Sequence, residues 1–303
     1  MKRNKLSKFR RRNERQAYLM IAPQIIGFFV FSIYPILWVF RYAFYRYDGV
    51  SEVFIGLENF IRAFTRDKNF WTSVINTFII AYGKLIIEIP LTFITAVMMS
   101  SSLIRFRRIF NVAYYLPQVT GNATACLIFT FLFATVNGNI NNILENIGLI
   151  SGPVSWLSDK WTAIIVISCK SLWAGFASNV LLFMAGVQNI SEEVIEASRI
   201  DGASRLQGFA KITVPMLAPQ IKVVLMLAMI NGVKTYEDVM LITNGGPAEQ
   251  TNVAMLYIYK LFFETTGIPE YGYASALGVI MSIIIGIITV VYLKVTKKAD
   301  SVM

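Results

Sequence analysis

The stretch "EEVIEASRIDGASRLQGFAKITVPMLAP", Glu192–Pro219, is polar and rich in small residues, although apolar runs long enough to cross a bilayer lie on both sides of it. Ser191 and Glu192 predict the start of a helix, because a hydroxyl group caps the first turn and acids favour the positive end of the helix dipole. Asp201-Gly202 predicts a tight turn, since glycine adopts backbone angles that are closed to other residues. The stretch therefore predicts a helix, a turn and a second helix between two membrane spans.

The second helix is expected to begin near Ala203 and to carry an apolar stripe of Leu206, Phe209 and Ile212. Pro215 and Pro219 are expected to interrupt this pattern before the next span begins. Capping and turn residues of this kind also occur in loops that only join two spans. The length favours a function, because passive connections in helical bundles usually take about 2–8 residues and this one takes roughly 30.

The composition points to a chain whose main solvent is lipid. Of its 303 residues, 55% are hydrophobic and 15% are charged, whereas soluble domains average about 25% charged residues. The net charge of +10 does not indicate a nucleic-acid-binding protein, because the basic residues fall in the gaps between apolar runs. Cys126 and Cys169 both lie inside apolar runs and are interpreted as small core residues.

Several classes of catalytic site are excluded by residue content. The chain has no histidine, which removes a Ser-His-Asp triad and every His-ligated zinc site. The only Gly-Lys pair, Gly83-Lys84, is followed by Leu85 and lacks the preceding glycine of a phosphate-binding loop. The chain is therefore not expected to hydrolyse ATP by that route.

Six segments are apolar over the roughly 20 residues that a helix needs to cross the hydrocarbon core. They are residues 17–40, 72–99, 109–135, 162–187, 220–243 and 274–294. The first follows a basic tail, but its apolar run is too long for a signal peptide and is interpreted as an uncleaved anchor. The predicted fold is an all-α integral membrane protein with six transmembrane helices.

The Lys and Arg counts of the connections predict the orientation. With a cytoplasmic N-terminus, the cytoplasmic segments carry 18 basic residues and the opposite side carries 7. Both termini are then cytoplasmic, and so is the loop between helices 4 and 5. The predicted organisation is a basic tail at 1–16, a six-helix transmembrane domain at 17–295 that contains the loop 188–219, and a C-terminal tail at 296–303.

The segment "EASRIDGASRLQGFAKITVP" resembles the E-A-A-x-x-D-G-A…F-x-x-I-x-L-P signature of the permease subunits of ATP-binding-cassette importers. The matching residues are Glu196, Ala197, Asp201, Gly202, Ala203, Phe209, Ile212 and Pro215. Ser198 replaces the second alanine, and Val214 replaces the leucine. The stretches "FIGLENF", "YYLPQV", "TNGGP" and "YGYASAL" resemble the carbohydrate-importing branch, so that the resemblance runs from about residue 15 to 295.

This resemblance implies that the loop docks as a coupling element on a cytoplasmic ATPase subunit. It also implies the partners: two ATPase subunits, a second permease subunit that is expected to be a related chain (a heterodimer), an extracytoplasmic solute-binding protein and the lipid bilayer of a bacterial cytoplasmic membrane. The chain itself is then not an enzyme and holds no cofactor, because ATP and Mg are bound by the ATPase subunits. A short rigid helix that is anchored in two spans suits this role, since it transmits a rigid-body movement.

Ionisable side chains within spans are costly and are therefore candidates for function. Lys84 and Glu88 are spaced to form an ion pair within one helix, and Lys170 is expected to extend toward the membrane surface. In related sugar permeases, one face of span five and part of span four contribute to the solute path. The candidates that this resemblance implies are Trp173, Ser178, Asn179, Ala228, Asn231, Gly232, Thr235, Tyr236 and Glu237. Hydrogen bonds between helices, or close helix packing at the small residues, remain an equal alternative for each of them.

Other functions are weighed against this one. A secondary transporter predicts matching interrupted helices in two halves of the chain, and the sequence has no such symmetry. An intramembrane enzyme needs a nucleophile with a base, which the sequence does not offer. The solute is expected to be a mono- or oligosaccharide, with a polyol or a sugar phosphate as the alternative.

Overall fold

The computed structural model describes residue 16 and residues 18–100, 107–264 and 267–300. The predicted N-terminal tail therefore lies outside the described residues except for Gln16, and so do the last three residues of the predicted C-terminal tail. The described part of the chain is mostly helical, as the sequence predicts.

The helices are numbered in chain order. They are α1 Tyr18–Tyr42, α2 Glu58–Thr65, α3 Lys68–Ser100, α4 Arg107–Val119, α5 Asn122–Leu132, α6 Asn139–Asn146, α7 Lys160–Gln188, α8 Glu192–Ile200, α9 (the consecutive segments Arg205–Gly208, Phe209–Thr213 and Val214–Met216), α10 Ala218–Val233, α11 Tyr236–Ile242, α12 Ala254–Phe263 and α13 Tyr271–Asp300. Two antiparallel strands, β1 Tyr45–Tyr47 and β2 Glu52–Phe54, form a hairpin. This hairpin is a departure from the all-α expectation.

Four described helices, α1, α3, α7 and α13, are individually long and apolar enough to cross a bilayer by length and composition. Helices α9 and α10 are bent by 63° relative to each other, and the number of possible spans rises to five if this pair forms one span. The chain is thus a multi-pass membrane protein by its described helices, and the count of six stays a prediction.

The predicted third and fifth spans are both interrupted. In the third, α4 ends at Val119, and Gly121 adopts an extended backbone with ψ 141° before α5 begins. In the fifth, α10 ends at Val233 and α11 begins at Tyr236. The Thr235 hydroxyl donates to the Gly232 carbonyl at 2.6 Å, and such local side-chain bonds compete with the helical ladder. Both breaks coincide with short polar stretches, Thr120-Gly121-Asn122 and Lys234-Thr235, but hydropathy averaged over a whole span does not resolve them, because long apolar runs lie on both sides.

Two helices accommodate proline through a wider turn. A π-helical turn, Phe29–Ile33, precedes Pro35 in α1, and another, Phe209–Thr213, precedes Pro215 in α9. A proline lacks an N–H and crowds the carbonyl four residues earlier, and the wider turn relieves that crowding. Of the two prolines expected to interrupt the second loop helix, Pro215 does not, because the helix continues to Met216. The bend lies at Leu217, between Pro215 and Pro219.

The described residues fall into two compact units. The first comprises the residues up to Arg66 together with Ile258–Ile283. In it, the Asn59 amide donates to the Ala43 carbonyl at 3.0 Å and to the Tyr45 carbonyl at 2.9 Å. Gly272 lies so close to the Tyr45 carbonyl that a side chain there would collide with it. These contacts explain why an asparagine stands in "FIGLENF" and a glycine in "YGYASAL": the first supplies two hydrogen bonds, and the second leaves room for the Tyr45 carbonyl.

The second unit comprises Asp67–Tyr257 and the residues from Ile284 onward. Its core lies where α3, α7 and α10 meet, and the buried members are Ala96, Met99, Val180, Phe183, Met184 and Val224. The loop after α11, which contains "TNGGP", is held on α3 because the Asn76 amide donates to the carbonyls of Gln250 and Asn252 at 2.8 and 3.0 Å. Both candidate sites lie within this unit.

Candidate functional site

The loop between α7 and α10 forms the predicted helix, turn and helix. The main chain closes the end of α8, because the Asp201 N–H donates to the Ala197 carbonyl at 2.9 Å and the Ala203 N–H donates to the Ser198 carbonyl at 3.0 Å. Gly202 has a φ of +80°, in the left-handed region that disfavours side chains. The predicted turn at Asp201-Gly202 is confirmed.

The second loop helix begins at Arg205 rather than at Ala203. Ser204 and Gln207 form a reciprocal cap, in which the Ser204 N–H donates to the Gln207 side chain at 2.8 Å and the Gln207 N–H donates to the Ser204 hydroxyl at 3.3 Å. This is a capping box of the S-x-x-Q type. The pattern is visible in the sequence and gives the correct start of the helix.

Phe209 attaches the loop to the bundle. Its ring centroid lies 5.9 Å from that of Phe93 on α3, and both Phe209 and Ile212 are half-buried. Leu206, in contrast, is 76% exposed. The predicted three-residue stripe is therefore wrong at Leu206, because this residue lies in the first turn of α9, before the two residues that face the bundle.

The turn presents an exposed surface that mixes acidic, small and apolar side chains. Glu196, Ala197, Asp201, Gly202 and Pro215 are exposed, and Ala203 is half-buried. Ile200 is 86% exposed and Leu206 76% exposed, on either side of the turn. Large apolar side chains that are exposed together at the corner of a polar loop are typical of a surface that another protein covers.

The interior of the bundle carries two connected groups of charged side chains. On α3, the Lys84 ammonium lies 3.5 Å from the Glu88 carboxylate, which confirms the predicted ion pair. Glu88 is buried and accepts from the Asn179 amide at 2.8 Å. Asn179, a solute-path candidate, thus makes a hydrogen bond between α7 and α3.

The second group surrounds Lys170 on α7, and we call it the Lys170 cluster: Asn122, Lys170, Ser171, Glu237 and Asp238. The Lys170 ammonium lies 2.5 Å from the Asp238 carboxylate and donates to the Asn122 side chain. The Ser171 hydroxyl donates to Asp238 at 2.5 Å, and the Asn122 amide donates to Glu237 at 3.1 Å. Lys170 is 1% exposed, so the expectation that it extends toward the membrane surface is wrong.

The cluster lies where the two interrupted spans resume. Asn122 is the first residue of α5, and Glu237 and Asp238 lie in the first turn of α11. Acids in a first turn are favoured by the helix dipole, and Lys170 balances the charge that is buried with Asp238. The Lys84 ammonium also donates to the Ser171 carbonyl at 3.4 Å, so the two groups are connected along α7.

The other solute-path candidates have different surroundings. Ala228 is buried, and a side chain at Gly232 would lie 2.9 Å from the Ala81 Cβ, so these positions allow close packing of α10 on α3. The Trp173 ring lies 5.8 Å from that of Phe129, and the Ser178 hydroxyl donates to the Gln118 side chain at 2.8 Å.

Near the break after α10, Asn231 and Glu237 are exposed, whereas Thr235 and Tyr236 are half-buried. Glu237 joins the Lys170 cluster, and Thr235 bonds to its own helix. The structure therefore gathers the candidates of span five around the break, and it separates them from Asn179, which belongs to the Glu88 pair.

Sequence reasoning did not select Asn122 or Ser171, and it treated Lys170 and Asp238 as ionisable groups within spans without placing them on the solute path. The available signal is that each is a polar residue within an apolar run. Their meeting depends on the breaks in spans three and five, which place the starts of two helices against α7. Among the described residues, no group of three or more His, Cys, Asp or Glu side chains is arranged to hold a metal ion. Cys126 is buried beside Asp238, as a small core residue would be, whereas Cys169 is exposed.

A protein-family model described as "Binding-protein-dependent transport system inner membrane component" matches residues 88–299, a range that includes both the loop and the Lys170 cluster. The chain belongs to this family. Members of the family that resemble it are permease proteins of sugar transport systems.

The arabinooligosaccharides transport system permease protein AraP of Bacillus subtilis (strain 168) is 31% identical over 281 residues, which cover 92% of this chain and 88% of that protein. The lactose transport system permease protein LacF of Rhizobium radiobacter is 30% identical over 285 residues, with 93% and 94% of the two chains covered.

Among solved structures, the fold is similar to that of a chain of a bacterial ABC transporter that is involved in the import of the acidic polysaccharide alginate. The TM-score is 0.85 at 22% identity, and the match covers 97% of this chain and 99% of that chain. At this identity the likeness shows the fold alone, and it places the described helices in the architecture of this family of membrane components.

Proposed function

We propose that this chain is the transmembrane permease subunit of an ATP-driven importer and that it translocates a carbohydrate delivered by an extracytoplasmic binding protein. Its permease domain is residues 17–295, with six spans and both termini in the cytoplasm of a bacterial cell. The excess of Lys and Arg on one side of the predicted spans supports this orientation.

The loop 188–219 carries the proposal. Its exposed corner holds Ile200 and Leu206, and Phe209 attaches its second helix to α3. A corner of this kind offers apolar area to a partner and is rigidly joined to the bundle, so that a push on it moves the spans. The chain lacks a phosphate-binding loop, so ATP is bound and hydrolysed by a separate ATPase subunit, which is the partner of this corner. Two such subunits bind ATP and Mg.

The eight loop residues divide into two roles under this proposal. Glu196, Ala197, Asp201, Gly202 and Ala203 form the turn that enters the ATPase surface. Phe209 and Ile212 connect the turn to the bundle, and Pro215 lies beside the bend that leads into α10. The companion subunit is a second permease chain, and the two permeases together enclose the solute path.

The solute class rests on the printed names of the relatives. They are assigned to arabinooligosaccharides, to lactose and to multiple sugars. Around the break in span five, Asn231, Thr235, Tyr236 and Glu237 offer amide, hydroxyl and carboxylate groups. On α7, Trp173 offers an aromatic face and Ser178 a hydroxyl group. Such groups bind sugar hydroxyls, so a carbohydrate fits the chemistry of these positions.

Reconstitution tests the proposal. The complete importer in proteoliposomes is expected to accumulate radiolabelled carbohydrate only when ATP is enclosed on the side of the ATPase subunits and the binding protein is present on the other side. Uptake by the permease chains alone under an ion gradient, without ATPase subunits, would show that the chain is a secondary transporter. A cysteine in place of Ala197 is expected to form cross-links to an ATPase subunit, whereas a cysteine in place of Ile147, in the segment predicted to lie on the opposite side, is not.

A further inference from the structure

The Lys170 cluster has a buried base and an exposed rim. Lys170, Ser171 and Asp238 are 1%, 4% and 7% exposed, and together they form the base. Asn122 and Glu237, which complete the cluster, are exposed. Within the base, the positive charge of Lys170 is balanced by the negative charge of Asp238. The exposed rim therefore presents one carboxylate, that of Glu237, and one amide, that of Asn122.

The rim lies within the membrane by the predicted spans. Glu237 is six residues from the outer end of the span 220–243, a depth of about 9 Å at 1.5 Å per residue. A charged side chain that is exposed at this depth does not face lipid, because the cost is several kcal/mol. It faces an aqueous path or another subunit.

Lys170, in the buried base of the cluster, fixes the position of the rim. Its ammonium group donates to the oxygen of the Asn122 side chain, which leaves the amide nitrogen of the same side chain to donate to Glu237 at 3.1 Å. The ammonium itself is held by Asp238, which Ser171 orients at 2.5 Å. Without Lys170, the Asn122 amide loses the partner that fixes its orientation, and the Glu237 carboxylate loses a fixed donor.

We propose that Lys170 is a positioning residue for transport, which holds Asn122 and Glu237 at the starts of α5 and α11 so that the Glu237 carboxylate accepts hydrogen bonds from the hydroxyl groups of a neutral polyhydroxylated solute. A carboxylate only accepts hydrogen bonds and has two oxygens, so it suits adjacent hydroxyl donors. The inference rests on the proposed function, which already places Glu237 on the solute path, and it adds the residue that positions this carboxylate.

The test removes the positioning without leaving an unpaired buried charge. In the double variant Lys170→Met and Asp238→Asn, both charges are lost together, which is far less costly to folding than the loss of one. The complete importer is reconstituted, and the uptake of radiolabelled lactose, maltose and arabinotriose is measured together with ATP hydrolysis. The readout is the number of solute molecules imported per ATP hydrolysed.

The double variant is expected to import about ten-fold less solute per ATP, which is the worth of one or two hydrogen bonds to a charged group. Its rate of ATP hydrolysis with binding protein is expected to stay within about two-fold of wild type, since the loop is untouched and a factor of two is well under 1 kcal/mol. A purely structural role would lower uptake and hydrolysis in proportion. The single variant Lys170→Arg keeps the positive charge and the hydrogen-bond donors. It is therefore expected to import most of the wild-type amount of solute per ATP hydrolysed.

Two further variants keep the test decisive. Asn122→Ala changes the rim and leaves the Lys170–Asp238 pair intact, so it is expected to reduce the yield per ATP even if the double variant does not assemble. Lys160→Met makes the same change of residue on the same helix outside the cluster and is expected to leave the yield unchanged.

A wild-type yield in the double variant or in Asn122→Ala would overturn the inference. If the wild-type permease chains instead import solute under an ion gradient without ATPase subunits, the proposed function itself is contradicted, and the two failures are therefore distinguishable.

Discussion

The 188–219 loop and the Lys170 cluster differ in the kind of side chain that each places in an unfavourable solvent. The loop, predicted to lie in water, exposes Ile200 and Leu206 at its corner, whereas the spans, predicted to lie in lipid, bury Lys170 and Asp238. Each arrangement is costly in isolation, because apolar area is exposed in one and charge is desolvated in the other. The difference teaches that neither region is optimised for its solvent: the loop leaves an apolar corner that a partner is expected to cover, whereas the charges of the cluster are paired within the chain.

The largest effect is expected from breaking the internal pairing on one side only. Lys170→Met leaves Asp238 buried without its cation, and the loss of one partner of a buried ion pair costs about 3–5 kcal/mol. The variant is expected to unfold at clearly lower temperature in detergent than wild type and to reach the membrane in smaller amounts.

Thermal unfolding of the purified protein measures this, and the double variant Lys170→Met with Asp238→Asn is the control. If the single variant is as stable as the double variant, the Asp238 carboxylate is not charged and paired as the geometry indicates.

The next effect concerns the turn of the loop. Gly202→Pro replaces a residue at φ +80° with one that is fixed near −65°, so the turn between α8 and α9 cannot form as it is. Uptake is expected to fall by at least about ten-fold, the size of a 1.4 kcal/mol defect in coupling, while the protein remains in the membrane. Glu196→Ala is expected to act in the same direction.

Transport and ATP hydrolysis are measured in the same proteoliposomes. Gly148→Pro provides the control, because Gly148 also has a positive φ, of 73°, but lies in a different loop. Normal transport by the Gly202→Pro variant would contradict the role of the loop as the coupling element.

These two regions differ in how much the sequence reveals. Ser191, Asp201 and Gly202 predict the helix and the turn, because capping and left-handed turns are local preferences of single residues. The Ser204–Gln207 cap is equally local and gives the start of α9. The Lys170 cluster is not local: its five members come from three helices, and only the breaks after Val119 and Val233 bring them together.

The same distinction applies to the fold. The long apolar helices α1, α3, α7 and α13 follow from hydropathy alone. The hairpin of β1 and β2 does not, because its strands are only three residues each and their pairing is fixed by contacts such as that of Asn59 with the Tyr45 carbonyl. Close approaches such as Gly272 on Tyr45 are also settled by tertiary packing, although the glycine stands in the sequence.

A smaller effect is expected from the exposed apolar corner. Ile200→Ser and Leu206→Ser remove side chains that contact little within the chain, so the stability of the isolated permease is expected to change by less than about 0.5 kcal/mol. The affinity for the ATPase subunits is expected to fall about five-fold or more for each, because burying an Ile or Leu side chain against a partner is worth about 1.5–3 kcal/mol, of which a part is lost.

Titration of the ATPase subunit against the purified permease measures the affinity. Ile147→Ser is the control, since Ile147 is 62% exposed but lies in the connection between α6 and α7. If the loop variants bind the ATPase as tightly as wild type, the corner is not the docking surface.

The smallest effect is expected in the hairpin of the first unit, which lies outside both candidate sites. The Asp48 carboxylate accepts from the N–H groups of Val50 and Ser51 at 2.8 and 2.6 Å, and these bonds lower its pKa from 3.8 to about 2. A group whose pKa is lowered by folding stabilises the fold above its unfolded pKa, and that contribution is lost as the pH falls through about 2. The turn is therefore expected to keep its full contribution from pH 8 down to about pH 4, and protection of the two amides from hydrogen exchange, corrected for the intrinsic rate, should persist to about pH 3. Asp48→Ala is expected to remove the protection without affecting transport, whereas a loss of protection near the ordinary pKa of 3.8 in the wild type would show that the carboxylate is not held by these donors.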